Sequence, residues 1–121
     1  MINCLWVGIG GFIGSCLRYL FGQIPVFENL NFPLSTLLIN FIGAFLIGLI
    51  SQTSTNFNFN LFFKVGLCGG FTTFSTFSLE TFTMIESGKM FLAIIYSLAS
   101  VLLCLAGILV GKLVAKLVFK F

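Results

Sequence analysis

Histidine and aspartate are both missing from these 121 residues, and glutamate appears only as Glu28, Glu80 and Glu86. A Ser-His-Asp triad, an aspartic dyad and any imidazole metal site are thereby excluded. Without histidine and aspartate the chain is poorly equipped for acid–base chemistry, and it is read as a non-enzyme. Charge of either sign is scarce: 7% of residues carry it, where soluble domains have roughly 25%. Together with 59% hydrophobic residues and a mean hydropathy of +1.17, this excludes a water-soluble globular protein. Disorder is excluded too, because it needs low hydrophobicity and high charge.

The cations are Arg18, Lys64, Lys89, Lys112, Lys116 and Lys120, giving a net charge of +3. They are scattered or terminal, with no basic cluster interleaved with aromatics, so no nucleic-acid partner is indicated. Cys4, Cys16, Cys68 and Cys104 lie inside apolar stretches, at spacings that match neither a zinc site nor a secreted disulfide framework. Met1-Ile2-Asn3 lacks the basic start of a signal peptide, so the first apolar stretch is expected to stay in the mature protein.

Long hydrophobic runs fill the rest. At roughly 20 residues per crossing, the length suits one all-α integral membrane domain, residues 1–121, with four transmembrane helices. The expected spans are about 2–21, 33–50, 61–85 and 90–111. Gly22 to Pro25 ends the first, and Pro33 opens the second where a first helical turn tolerates it. Ser51 to Asn60 reads as a polar loop, and Glu86 to Lys89 as a tight turn. Three lysines at four-residue intervals follow the fourth span and suit an interfacial anchor. Four spans put both termini on one side, with Lys64 and the terminal lysines. Arg18 and Lys89 fall on the other side, so the inside bias of the termini is weak and insertion in both orientations is expected. No internal repeat relates the two halves.

The third span departs from the others. Gly66, Gly69 and Gly70 precede Phe71-Thr72-Thr73-Phe74-Ser75-Thr76-Phe77-Ser78, and glycines followed by hydroxyl residues weaken a helix. Either the helix breaks where protein or a polar cavity covers it, or small residues let a continuous helix pack closely. Asn40, mid-way along the second span, offers two donors and an acceptor, for a neighbouring helix or for a ligand. Thr36, one turn earlier, has its own backbone within reach. Tyr96, Ser100, Cys104 and Gly107 share one face of the fourth span, as a weakly polar track or as a packing seam. Gly10 with Gly14, and Gly107 with Gly111, have the spacing of close helix contacts. A lining of neutral donors and phenylalanine ring edges suits a small anion that must bind and then leave.

Three stretches resemble the Fluc (CrcB) family of small fluoride channels. Gly10-Gly11-Phe12-Ile13-Gly14-Ser15-Cys16-Leu17-Arg18-Tyr19 is similar to G-G-x-x-G-A-x-x-R-Y. Pro33-Leu34-Ser35-Thr36-Leu37-Leu38-Ile39-Asn40-Phe41-Ile42-Gly43 is similar to P-x-G-T-L-x-x-N-x-x-G. Gly69-Gly70-Phe71-Thr72-Thr73-Phe74-Ser75-Thr76-Phe77-Ser78 is similar to G-G-x-T-T-F-S-T-F-S, the most specific of the three. The likeness covers essentially the whole chain.

The resemblance implies an antiparallel, dual-topology homodimer with two fluoride pathways and an interrupted third helix. By that likeness Phe74 and Phe77 present ring edges to fluoride and Asn40 donates its amide. Tyr96, Ser100, Ser75 and Thr76 continue or support the polar track. Backbone carbonyls of Gly69 and Thr72 from both copies would hold a structural sodium ion at the dimer centre. Arg18 corresponds to an arginine that makes the vestibule positive, though a snorkelling role needs no such function. Glu80 corresponds to a glutamate beyond the phenylalanines and has a lysine or arginine of either copy as a conceivable partner. Ser15 and Ser35 depart from the motifs, and Cys104 stands where a hydroxyl is common. The expected function is passive, fluoride-selective export across the cytoplasmic membrane. A small dual-topology multidrug transporter would need an acid in the first span, which has none. A membrane subunit that only packs would leave Asn40 and the Gly-Gly-Phe-Thr-Thr run unexplained.

Overall fold

The computed structural model describes residues 1–53 and 56–119, and among them every regular element is helical. Helix α1 spans Ile2–Gly22, and a single 3-10 turn, Pro25–Phe27, follows it. Ile24, which precedes Pro25, is extended, as a residue before proline prefers. Helix α2 spans Leu34–Ser51. A helical stretch then begins as Phe57–Asn60, widens to π geometry over Leu61–Cys68 and finishes as Gly69–Phe71; these contiguous pieces are called α3. Helix α4 spans Phe74–Glu86 and α5 spans Met90–Phe119.

Helices α1, α2 and α5 are long and apolar enough to cross a membrane. The expected third span, 61–85, is two shorter helices separated at Thr72 and Thr73. It begins earlier than expected, because Asn56 caps the first turn by accepting from the Phe59 amide at 3.1 Å. The expected loop from Ser51 to Asn60 shrinks accordingly, with residues 54 and 55 outside the described ones. Helix α5 is longer than the expected 90–111, and its 30 residues reach about 45 Å at 1.5 Å each. Lys112 and Lys116 extend it because lysine is a good helix former; Lys120 lies outside the described residues. The turn after α4 closes on Gly88, whose φ of 77° is left-handed. There the Lys89 amide reaches the Met84 carbonyl at 2.8 Å and the Gly88 amide reaches Ile85 at 3.1 Å.

Glycines decide which helices meet. A Cβ on Gly10 or Gly14 would overlap the backbone of α3 at Phe62 and Leu67, and one on Gly70 would overlap Gly11 of α1. The α2–α5 pair repeats the arrangement: a side chain on Gly48 would meet the Ile108 backbone, and one on Gly111 that of Phe45. The pairs Gly10/Gly14 and Gly66/Gly70 therefore face each other at a backbone-to-backbone crossing, as Gly48 and Gly111 do at the other, while Gly107 packs on the Phe41 ring. Helix α4 is thinly packed by comparison, resting on α5 and one end of α2. A small core of Leu37, Met84, Ala93 and Tyr96, flanked by Phe32 and Phe77, ties it there.

Candidate functional site

The site starts from the break. Helix α3 ends at Phe71, and Thr72 (φ −80°, ψ 159°) and Thr73 (φ −149°, ψ 117°) are extended. Extended residues deprive the neighbouring turns of their usual partners, so every freed group must be met. Asn40 of α2 meets two of them. Its Oδ1 accepts from the Thr73 amide at 2.8 Å, and its Nδ2 donates to the Thr73 carbonyl at 3.1 Å. The side-chain amide thus pairs with one residue of backbone as a neighbouring strand would. Gly43, one turn further along α2, leaves room for the Thr72 side chain and the Phe71 ring.

Thr73 also restarts the helix. Its Oγ1 accepts from the Thr76 amide at 3.1 Å, a standard N-cap. The same oxygen lies 3.1 Å from Thr76 Oγ1 and 3.2 Å from Ser75 Oγ. Ser75 and Thr76 therefore gather around the cap and do not border the groove described next. Further along α4, Ser78, Thr81 and Thr83 return their hydroxyls to the carbonyls of Phe74, Phe77 and Leu79. Those hydroxyls are spent within the helix.

The restart aims Phe74 and Phe77 along one side of α4, with ring centroids 5.5 Å apart. Between this side, α2 and α5 lies a groove of about 400 Å³. Its polar lining is Asn40, Thr72, Thr73, Ser100 and Cys104; the rest is Phe74, Phe77 and aliphatic side chains, with no charged residue. Ser100 is buried, and its hydroxyl has no hydrogen-bond partner among the described residues. One N–H of Asn40 remains after its bond to Thr73, since an amide nitrogen carries two.

Tyr96 shares a helix face with Ser100 but is fully buried outside the groove lining. Its hydroxyl donates to Glu80 Oε2 at 3.0 Å, while Thr36 donates to Glu80 Oε1 at 2.6 Å. One expectation is corrected here: Thr36 bonds to α4 and not to its own helix. Within one chain Glu80 takes two hydroxyls. A half-buried carboxylate among apolar helices needs donors on its oxygens, and these helices supply one to each. The Tyr96 ring packs on Phe77, 5.1 Å away, and edge-on to Phe32 at 5.4 Å. Tyr96 thus reaches the groove only through the Phe77 ring. Glu80 borders a second cleft, at the Phe32–Ser35 end of α2.

Arg18 stands on α1, away from the groove, with its Nε enclosed and without a partner among the described residues. Gly69 and Thr72 have a property in common. In a continuous helix their carbonyls would accept from the amides of Thr73 and Thr76, four residues on. Those amides are taken by Asn40 Oδ1 and Thr73 Oγ1. The Gly69 and Thr72 carbonyls, within one turn of each other, thereby lose those two helical donors. Sequence reasoning missed Thr73 itself; its signal is a threonine directly before a helical run.

Residues 5–112 match the family model described as "CrcB-like protein, Camphor Resistance (CrcB)". The chain belongs to the CrcB-like family. A relative from Ruminiclostridium cellulolyticum is 43% identical to it, over 96% of this chain and 94% of its own length. One from Elusimicrobium minutum is 45% identical, covering 93% and 92%. One from Methanocaldococcus jannaschii is 38% identical, covering 96% of each. All three are named "Fluoride-specific ion channel FluC". In this CrcB-like chain the most specific motif, 69–78, coincides with the helix break and with the two rings beside the groove.

Proposed function

We propose that this protein is a passive fluoride-selective channel of the cytoplasmic membrane, exporting fluoride, and that it carries out no catalysis. The observation that carries the reading is the groove beside the break: neutral donors and two phenylalanine rings, with no charged side chain in the lining. A small anion leaving water must regain hydrogen bonds. The second N–H of Asn40 and the unpartnered Ser100 hydroxyl supply them, and the positive ring edges of Phe74 and Phe77 add to them. Because no cation lines the path, the ion is held weakly enough to leave, as conduction requires. Ser75 and Thr76 act in support, holding Thr73 in place. Tyr96 does so by fixing Phe77 and Glu80.

The working unit in this reading is an antiparallel, dual-topology homodimer with two pathways, in which α3 and α4 together make the third of four crossings of each chain. The exposed groups of α4 support it, since Phe74, Ser75 and Thr76 have no cover within one chain. The open carbonyls of Gly69 and Thr72 suit a sodium ion shared between two copies. Such an ion would satisfy backbone at the centre of the dimer. Arg18 serves as a vestibule cation, drawing anions toward the path.

The test is efflux from liposomes, read with fluoride and chloride electrodes. Rapid fluoride loss with chloride retained is the expected result. Retention of both ions by a verified, folded protein would overturn the channel reading in favour of a subunit that only packs.

A further inference from the structure

One buried hydroxyl of the groove, that of Ser100, has no partner among the described residues, and the Cys104 thiol lies one helical turn from it on α5. Ser100 is only 6% exposed, and its enclosed hydroxyl bonds to nothing among the described residues. A buried hydroxyl left unpaired is costly, which marks the position as one that an entering group completes. Cys104, the neighbour at i+4, is half-buried and borders the same groove. The other cysteines are placed differently. Cys4 and Cys16 are exposed on the apolar helix α1, and Cys68 is entirely buried.

Thiols react as thiolates, so reactivity follows the water and the donors that stabilise the sulfur anion. A cysteine facing hydrocarbon has neither. Cys104 has a groove lined by hydroxyl and amide donors, with the unspent Ser100 hydroxyl at a spacing of about 5–6 Å between Cβ atoms. We propose that Cys104 is a modification site, at which small polar disulfides and thiosulfonates entering the groove exchange onto Sγ and close the path. Ser100 acts as the positioning hydroxyl for the sulfur anion. With methyl methanethiosulfonate, the thiol proton passes to water and the thiolate attacks the sulfenyl sulfur. An S–S bond to the methylthio group forms, the S–SO2 bond breaks, and methanesulfinate leaves with the electron pair. The product removes the thiol donor from the lining and sets an apolar methyl over Ser100. Closure rests on the channel reading; labelling of Cys104 does not.

The experiment uses the full chain in liposomes, in a Cys4→Ala/Cys16→Ala background, treated with methyl methanethiosulfonate. Peptide mass mapping reads the label and a fluoride electrode reads the flux. The expected result is one methylthio group on Cys104 and a fall in fluoride efflux of about ten-fold, roughly the worth of one lost donor. Dithiothreitol restores the flux. Adding Cys104→Ser makes the flux insensitive to the reagent relative to its own untreated value, and Ser100→Ala slows labelling. An unlabelled Cys104 in protein that conducts fluoride overturns this proposal alone. Complete labelling with unchanged flux overturns closure and removes this groove from the pathway. Untreated protein that conducts no fluoride defeats the channel reading, and closure with it.

Discussion

Replacing Asn40 by alanine tests whether the break is held by the side chain that pairs with it. Two hydrogen bonds disappear, one from the Thr73 amide at 2.8 Å and one to the Thr73 carbonyl at 3.1 Å. They are not equivalent. As N-cap residue of α4, Thr73 keeps an intrahelical bond on its carbonyl, so the loss there is small. Its amide has no second acceptor, and Thr73 is only 8% exposed. A buried donor left unpaired costs about 1–3 kcal/mol. Interhelical hydrogen bonds in bilayers average about 0.6 kcal/mol, because the disrupted state finds other partners. The amide could find one by closing a further helical turn onto Gly69, which would move Phe74 out of register. Asn40→Ala should therefore cost about 2 kcal/mol, read as loss of helicity in a denaturant titration of the detergent-solubilised protein. Hydrogen exchange at the Thr73 amide should accelerate in the same variant. A cost below about 0.5 kcal/mol, within the range of neutral substitutions, with that amide still protected, would refute the clasp. Flux alone would not decide it, since Asn40 also borders the groove.

Gly14→Ala and Gly8→Ala apply one chemical change to two faces of α1. The first drives a methyl into the Leu67 backbone and should destabilise by about 1–3 kcal/mol; the second meets nothing within 4 Å and should stabilise by about 0.5–1 kcal/mol through helix propensity. Thermal unfolding in detergent distinguishes the signs, and equal effects would refute the crossing. Glu80→Ala strands the hydroxyls of Thr36 and Tyr96 and should cost about 2–4 kcal/mol, whereas Glu80→Gln, which keeps one acceptor, should fall between it and the natural chain. Phe74 is 78% exposed, so Phe74→Ile should leave one-chain stability within about 0.5 kcal/mol while lowering fluoride efflux. Unchanged efflux would remove that ring from the path.

The long helices were legible because hydrophobic length and glycine spacing are local properties. Gly10, Gly14, Gly107 and Gly111 could be read as contact faces before any partner was known. Their partners could not, since α3 opposite Gly14 and α2 opposite Gly111 follow from the path of the whole chain. The weakness of the third span was legible from Gly69, Gly70 and the hydroxyl run. Its position at Thr72 and Thr73 was not, because it depends on Asn40, more than thirty residues away, competing for the Thr73 amide. The same limit applies to Glu80. Its two hydroxyl partners come from α2 and α5, and nothing beside Glu80 in the chain names them. The Tyr96–Ser100–Cys104 stripe was legible as a helix face; that Phe77 stands between Tyr96 and the groove, and that Glu80 takes the Tyr96 hydroxyl, depends on α4 and was not.

The break, the clasp and the groove form one device. A continuous helix through Thr72 and Thr73 would return the Thr73 amide to Gly69 and leave Asn40 without its partner. It would also turn Phe74 and Phe77 through about 100° for each residue recovered. The two extended residues therefore set which side of α4 meets Ser100 and Cys104. The cost falls on the exposed side, where Gly69, Ser75 and Thr76 are uncovered in one chain. In hydrocarbon each unsatisfied backbone group costs several kcal/mol, more than the thin contact of α4 with α5 could offset. The proposed dimer would answer that cost, since a second copy laid against this face would cover the groups that the break exposes. The geometry that forms the groove is thus the same geometry that leaves Gly69, Ser75 and Thr76 uncovered in one chain.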